Sequence, residues 1–155
     1  MRIVSTLENQ NIEKRIAITP EIAKKYIALG FEVLLSESYG NHLGIKDEEY
    51  KEIGVKISKD DNEILNSADL IIQLGLLEDE KISSIKENQT LIGVLNPYDN
   101  KDKIDKLIKK KINMFSLELL PRITRAQSMD ILSSQANLAG YKAVIESFAN
   151  FEKAI

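Results

Sequence analysis

Leu70-Ile71-Ile72-Gln73-Leu74 is a nearly continuous apolar run. A strand with one wet face alternates apolar and polar residues, whereas a strand covered on both faces does not. This run therefore reads as a buried strand of a mostly parallel sheet with helices on both sides. Thr90-Leu91-Ile92-Gly93-Val94-Leu95 repeats the pattern and is stopped by Asn96-Pro97. Between them, Asp79 to Lys86 is predicted as a helix. Beyond them come a helix over Lys101 to Lys111, with Ile104, Leu107 and Ile108 inward, and a last buried strand over Ile112 to Leu117.

Upstream, the alternation holds. Met1 to Ser5 reads as a short opening strand, and Gln10 to Ile18 as a loop with a short extended piece. Thr19-Pro20-Glu21 is a strong helix start: Thr caps, Pro suits the first helical position, and Glu favours the positive end of the dipole. Ile22, Ala23, Tyr26, Ile27 and Leu29 form the expected buried face, and Gly30 ends the helix. A strand over Phe31 to Ser36, a helix over Asp47 to Ile53 and a strand over Val55 to Ile57 follow. Asp60 and Glu63 then resemble an acidic capping box. From Gln127 to Glu152 the chain reads as one long helix. The expected fold class is α/β, a Rossmann-like or flavodoxin-like, mostly parallel sheet flanked by helices and ending in a long C-terminal helix. The domain reading is residues 1–125 as the α/β domain and 126–155 as the long helix.

Composition excludes several function classes. The 155 residues are 43% hydrophobic, enough for a sizeable core. The 21 Lys and Arg nearly cancel 24 Asp and Glu, for a net charge of -3, which argues against a chain built to coat nucleic acid. Cys is absent and His42 is the single histidine, so no disulfide framework, thiolate nucleophile, Cys-ligated metal or His cluster is possible. No metal site is expected. No apolar run approaches the ~20 residues of a membrane helix, and no signal-peptide core follows Met1. The expected setting is a reducing cytoplasm.

The segment Glu118-Leu119-Leu120-Pro121-Arg122-Ile123-Thr124-Arg125-Ala126-Gln127-Ser128-Met129-Asp130 leaves the last strand and enters the long helix. Ligands of open α/β sheets bind beyond the carboxyl ends of strands. Arg can clamp a phosphate or carboxylate, and an amide and a carboxylate can orient ribose or carboxamide groups. The same residues also fit a plain helix start, with Thr124 and Gln127 as a capping box and Asp130 and Ser133 near the positive end. Arg15 stands just ahead of a helix N-terminus, a natural anion site, yet its spacing favours pairing with Glu13 or Glu21. His42 reads as a surface residue. The small residues Ala136, Ala139, Gly140, Ala143 and Ser147 permit close approach of another helix, within the domain or across an oligomer interface. No G-x-G-x-x-G and no G-x-x-x-x-G-K-[ST] occurs, so the chain carries no recognisable phosphate-cradling loop.

Leu120-Pro121-Arg122-Ile123-Thr124-Arg125-Ala126-Gln127-Ser128-Met129-Asp130, with Leu132 to Val144, closely resembles the N-terminal part of the alpha subunit of proton-translocating NAD(P) transhydrogenase. That family shares its fold with alanine dehydrogenase. Glu13-Lys14-Arg15-Ile16-Ala17-Ile18-Thr19-Pro20 is similar to an element of the wider family. The resemblance implies hydride transfer between NADH and NADP+, with NAD(H) contacted near its nicotinamide by Arg122, Gln127, Asp130 and Ser133. It implies no catalytic acid or base. Its implied partners are a Gly-rich NAD-binding domain, an NADP(H)-binding component and a membrane component, with a homodimer and a cytoplasmic location peripheral to the membrane. The family's alpha subunit is longer, so the chain is expected to be a truncated piece, a separately encoded part or a remnant, and to bind NAD(H) weakly or not at all alone. The alternatives are a non-catalytic interaction module and an alanine-dehydrogenase-like enzyme. Gly75-Leu76-Leu77 and Asn96-Pro97-Tyr98 stand where that branch has its Lys and His, which disfavours the last.

Overall fold

The computed structural model describes residues 1–152. It divides into two compact units, Met1–Ser116 and Leu117–Ile155. The first unit holds six strands: β1 (Arg2–Ser5), β2 (Glu32–Ser36), β3 (Lys56–Ser58), β4 (Leu70–Ile72), β5 (Thr90–Gly93) and β6 (Asn113–Ser116). All pair in parallel, in the order β3-β2-β1-β4-β5-β6. The α/β class and the parallel sheet are as expected. Helices α1 (Pro20–Ala28), α2 (Asp47–Glu52), α3 (Asp61–Asn66), α4 (Asp79–Ser84) and α5 (Lys101–Lys109) connect the strands. The chain builds outward from β1 in one direction and from β4 in the other, so the topological switch point lies between β1 and β4.

Successive strand residues point to opposite faces, and the core divides accordingly. Ile3, Val33 and Leu35 join Ile18, Ala23, Tyr39, Tyr50 and Val55 in one cluster. Val4, Ile71 and Leu91 join Ile64, Leu65, Ile82, Leu95 and Leu107 in the other. That two-sided burial explains why β4 reads as apolar without alternation.

Local signals place the elements. Thr19 accepts from the Ile22 N–H at 3.4 Å, and Pro20 opens α1. Asp60 caps α3 through the N–H groups of Asn62 and Glu63, at 2.9 and 3.3 Å. Glu63 reaches the Ser58 hydroxyl at 3.3 Å. Gly30 and Gly54 follow α1 and α2 with φ of +85° and +94°, the left-handed region that favours glycine.

The structure corrects several expectations. Periodicity puts Leu29 and Ile108 inside, but both are exposed, because each lies at the end of its helix where the core face has rotated away. The last strand, β6, reads as buried in the sequence. It is an edge strand, bonded to β5 alone, and its Phe115 is 58% exposed. The long helix does not begin at Gln127. Instead, Thr124–Met129 is a 3-10 turn, and helix α6 runs over Ile131–Ala149. Asp130 supplies the cap, so the expected Thr124/Gln127 capping box does not form. Residues 153–155 of the expected helical segment lie outside the described residues.

One tertiary tie carries a prediction. Lys110 closes α5 and donates to three carbonyls at the end of α4: Ile82 at 2.9 Å, Ser83 at 2.6 Å and Ile85 at 2.7 Å. An ammonium on the orphan carbonyls of a helix C-terminus satisfies hydrogen bonds and the dipole together. Lys110→Met keeps the stem and removes those donors. It should lower the unfolding free energy by about 1–2 kcal/mol, read as a shift of the urea midpoint at unchanged slope.

Candidate functional site

The second unit contains the segment singled out in the sequence. After β6 the chain makes a short 3-10 turn, Leu117–Leu119, runs extended past Pro121 and enters the 3-10 turn Thr124–Met129. Asp130 adopts φ −74° and ψ 93°, leaving helical geometry for its own residue while α6 starts at the next. Its side chain accepts from the Leu132 and Ser133 N–H groups, both at 3.0 Å, and from the Ser133 hydroxyl at 2.6 Å. These donors hold the Asp130 carboxyl below the usual carboxylate range; the Ser133 hydroxyl contributes most, and Arg122 adds a smaller attraction. Asp130 is therefore an ionised acceptor at neutral pH.

Arg122 Nε lies 4.0 Å from Asp130 Oδ2, and the Arg122 side chain is 71% exposed. At that distance and exposure the pair adds little to stability, so the guanidinium keeps most of its capacity toward an anionic or hydroxyl-bearing ligand. Gln127 is exposed; its backbone carbonyl accepts from the Asp130 N–H at 3.3 Å. The structure thus brings Arg122, Asp130 and Ser133 together. It places Gln127 one turn upstream with an accessible amide.

Asp130 has a consequence for anion binding. A free helix N-terminus offers N–H groups to phosphate. Here the Leu132 and Ser133 N–H groups are already engaged by a carboxylate, so the start of α6 is closed to a second anion. The set suits ribose hydroxyls and a carboxamide: acceptors on Asp130, a hydroxyl on Ser133, an amide on Gln127 and a cation on Arg122.

The remaining sequence candidates are structural. Arg15 pairs with Glu13 at 2.6 Å, as spacing favours. His42 is exposed; its Nε2–H donates to the Lys14 carbonyl at 2.8 Å, and Nδ1 accepts from the Gln10 amide at 3.2 Å. Ala136, Ala139, Gly140, Ala143 and Ser147 are exposed on α6.

Sequence reasoning missed a polar arrangement in the first unit at the β1/β4 switch point. The Gln73 amide accepts from the Thr6 N–H at 2.8 Å and from the Ser5 hydroxyl at 2.9 Å, and it donates to the Thr6 carbonyl at 3.2 Å. It replaces ladder bonds where β1 and β4 diverge. Glu8 then accepts from the Leu74 N–H at 2.6 Å. Burial pushes the Glu8 carboxyl up, partly opposed by the N–H groups of Leu74 and Gly75. Lys81 reaches back from α4 to Thr6 Oγ1, the Leu7 carbonyl and Asp61, at 3.1, 3.0 and 2.8 Å. The available signal was Gln73 itself, a polar residue inside an otherwise buried run. Among the described residues no cluster of His, Asp or Glu suits a metal ion, and no helix is long and apolar enough to cross a membrane.

Known proteins resemble the chain closely. A family model described as "Alanine dehydrogenase/PNT, N-terminal domain" matches residues 6–139. In Rickettsia prowazekii (strain Madrid E), the protein described as the first part of NAD(P) transhydrogenase subunit alpha is 41% identical over 158 residues, covering 99% of this chain and 41% of that protein. The protein of the same description from Rhodospirillum rubrum is 39% identical over 159 residues, with coverage of 99% and 41%. Among solved structures, a transhydrogenase from Sinorhizobium meliloti superposes with a TM-score of 0.89 at 37% identity, covering 98% of this chain and 46% of that one. The chain spans about two-fifths of the length of these curated relatives.

Proposed function

The chain belongs to the alanine dehydrogenase/PNT N-terminal domain family, and from that premise we propose that it is the opening portion of the NAD(H)-binding component of a proton-translocating NAD(P) transhydrogenase. In this reading the component passes hydride between NADH and NADP+, and the chain itself orients the NAD(H) nicotinamide. The observation that carries the reading is the grouping of Arg122, Asp130 and Ser133 at the start of α6, with Gln127 one turn away.

Hydride transfer between two nicotinamides needs no general acid or base from the protein. It depends on the distance and angle of the two rings. The bound dinucleotide supplies the hydride; this chain supplies position. Arg122 holds ribose or phosphate oxygens. Asp130, fixed by its own cap bonds, and Gln127 take up ribose hydroxyls or the carboxamide and set which ring face is presented. Ser133 holds the carboxylate in place and adds a contact.

The engaged N-terminus of α6 and the lack of a glycine-rich loop in these 155 residues leave the pyrophosphate to another portion of the component. We assign it to a Gly-rich NAD-binding domain, with residues 1–125 as the α/β domain and residues 126–155 as the segment that leads to it. NADP(H) sits on a further component, and a membrane component carries the protons. The assembly places the chain on the cytoplasmic side, peripheral to the membrane. Helix α6 agrees with extensive partnering: it has no buried residue, and Leu138, Tyr141, Val144 and Phe148 are all more than half exposed. A helix with this many exposed large apolar side chains requires cover, which a second protomer of a homodimer or the Gly-rich domain supplies.

In the assembled complex, Asp130→Asn and Gln127→Asn should each slow hydride transfer between nucleotide analogues about tenfold, the equivalent of ~1.4 kcal/mol of lost positioning. Asn retains the ability to cap α6, so the Asp130→Asn effect reports the carboxylate's charge and acceptor set rather than unfolding. Rates within twofold of the parent would refute the positioning role. Separately, calorimetric titration of the 155-residue chain with NADH should show no micromolar binding; micromolar affinity would place the whole dinucleotide site within it.

A further inference from the structure

In a parallel sheet every strand starts at the same end, and every crossover helix finishes there. At that end of the first unit, α5 closes on Lys109, Lys110 and Lys111, and Lys86 follows α4. The two helix ends meet. The Asn88 N–H donates to the Lys110 carbonyl at 3.3 Å, and the Lys110 ammonium donates to the Ile85 carbonyl at 2.7 Å. Four lysines thus share one patch, in a chain whose net charge is -3. Asp69 and Glu87 line a recess with Lys86. The Asp69 carboxylate is engaged by the Arg2 N–H at 2.6 Å, which leaves Glu87 as the counter-charge. Lys86, Lys109 and Lys111 are exposed, and among the described residues their ammonium groups have no carboxylate partner.

Lys111 holds its place at a conformational cost. Helices α1, α2 and α5 all end with a backbone N–H bonded back across the last turn: Phe31 to Tyr26, Val55 to Tyr50 and Ile112 to Leu107, at 3.1, 3.0 and 3.1 Å. This Schellman pattern puts a left-handed residue just before that N–H. Gly30 and Gly54 fill the position after α1 and α2, whereas α5 uses Lys111, at φ +55°. A side chain is strained in that region, and glycine is not. Of these three ends, the one that forgoes glycine gains a cation in the patch.

The composition of the patch selects the partner. It contains no arginine, the residue whose planar fork recognises a single carboxylate or phosphate. Lysine ammoniums are hydrated point charges on flexible stems, and lysine is depleted at protein–protein interfaces. Beside them Ile108 is 56% exposed. Unpaired lysines around an exposed aliphatic side chain suit a diffuse anionic surface whose interfacial layer admits the aliphatic group. We propose that this end of the first unit is an electrostatic docking surface for an anionic lipid bilayer, with Lys86, Lys109 and Lys111 as its charge contacts and Ile108 as its apolar one. The surface goes beyond the transhydrogenase reading and does not rest on the nicotinamide contacts of the second unit.

Co-sedimentation of the full 155-residue chain with lipid vesicles tests this. The chain should bind phosphatidylcholine vesicles that carry ~30% phosphatidylglycerol at ~50 mM salt and be released at ~500 mM. Replacing Lys86, Lys109 and Lys111 together by Gln should weaken binding at least ~tenfold. The same change at Lys14, Lys46 and Lys101, exposed at the opposite end of the sheet, should leave it within about twofold. Lys111→Gly separates docking from folding: it should raise the urea midpoint while weakening vesicle binding severalfold. Adsorption through the apolar side chains of α6 would instead persist on pure phosphatidylcholine and in the triple variant. No binding to the charged vesicles, equal binding to pure phosphatidylcholine, or a triple variant or Lys111→Gly protein that binds like the parent would each overturn the proposal.

Discussion

Gly93→Ala is expected to lower the stability of the first unit by about 3 kcal/mol, at the upper end of the usual overpacking range. Gly93 closes β5, directly beside the segment that leaves β4. A Cβ built there would meet the Gln73 carbonyl oxygen at 2.4 Å. That oxygen belongs to the backbone, and the strands are fixed around it. Gln73 N–H bonds to the Ile92 carbonyl and Val94 N–H to the Leu74 carbonyl, both at 3.0 Å. The methyl group can be accommodated only by parting β4 from β5, where Gln73 also holds Thr6 and Ser5. A fall in the thermal midpoint of roughly 10 °C should result. Gly140→Ala is the internal control. It introduces the same methyl on α6, with no atom within 4 Å, and should stabilise the helix by up to ~1 kcal/mol. Equal effects at the two positions would show that the close approach at Gly93 is not what constrains it.

Tyr39→Phe should cost a comparable amount, about 3 kcal/mol, through lost hydrogen bonds rather than crowding. The Tyr39 hydroxyl is buried. It pairs with Ser5 Oγ at 2.7 Å and accepts from the Ala17 and Ile18 N–H groups at 3.1 and 3.2 Å. Its ring meets that of Tyr50 edge to face at 6.1 Å, and the Tyr50 hydroxyl donates to the Ile18 carbonyl at 2.8 Å. Removing one oxygen therefore strands donors on the loop that precedes α1 while leaving the ring packing intact. The same hydroxyl gives a pH dependence. Burial pushes the Tyr39 phenol up to about 12, and the unfolded chain titrates near its ordinary value of 10. The native state keeps the proton longer. This contribution to stability is fully present below pH 10 and is lost as pH rises toward 12. Tyr50 is pushed in the same direction, again by burial first. Alkaline unfolding should thus steepen above about pH 10 in the parent and be shallower in Tyr39→Phe. Parallel curves would mean that Tyr39 does not carry the effect.

Much of the fold was legible because its signals are local. Thr19-Pro20 marks the start of α1, and Asp60 caps α3, each through hydrogen bonds made within four residues. The missing alternation in Leu70 to Leu74 was legible because burial on both faces removes the need for polar residues. The errors have local causes too. Asp130 and Thr124 are both sound caps by composition. The choice between them depended on whether Thr124–Met129 tightened into a 3-10 turn, which moved the start of α6 to Ile131. β6 reads like a central strand by its apolar residues, and only its place at the sheet edge exposes Phe115.

For the candidate nicotinamide site, the residues Arg122, Gln127, Asp130 and Ser133 were singled out through the resemblance of one short segment to the transhydrogenase family, since their pattern alone fits a plain helix start equally well. Their engagement was not legible in the sequence. That Asp130 would occupy the N–H groups of its own helix, and so turn the start of α6 from a phosphate site into a fixed acceptor, follows from backbone angles that spacing does not encode.

The α/β class and the parallel sheet were set by the sequence alone, because they rest on periodicity, caps and residue types within a few positions of one another; the candidate nucleotide contacts came only from the segment's resemblance to a family. The tertiary structure alone decided the strand order, the edge position of β6 and the polar closure at the switch point. Gln73 with Thr6, Glu8 with Leu74 and Lys81 with Leu7 are each more than sixty residues apart in the chain. They meet only because β1 and β4 pair side by side, and no local pattern records which strands become neighbours.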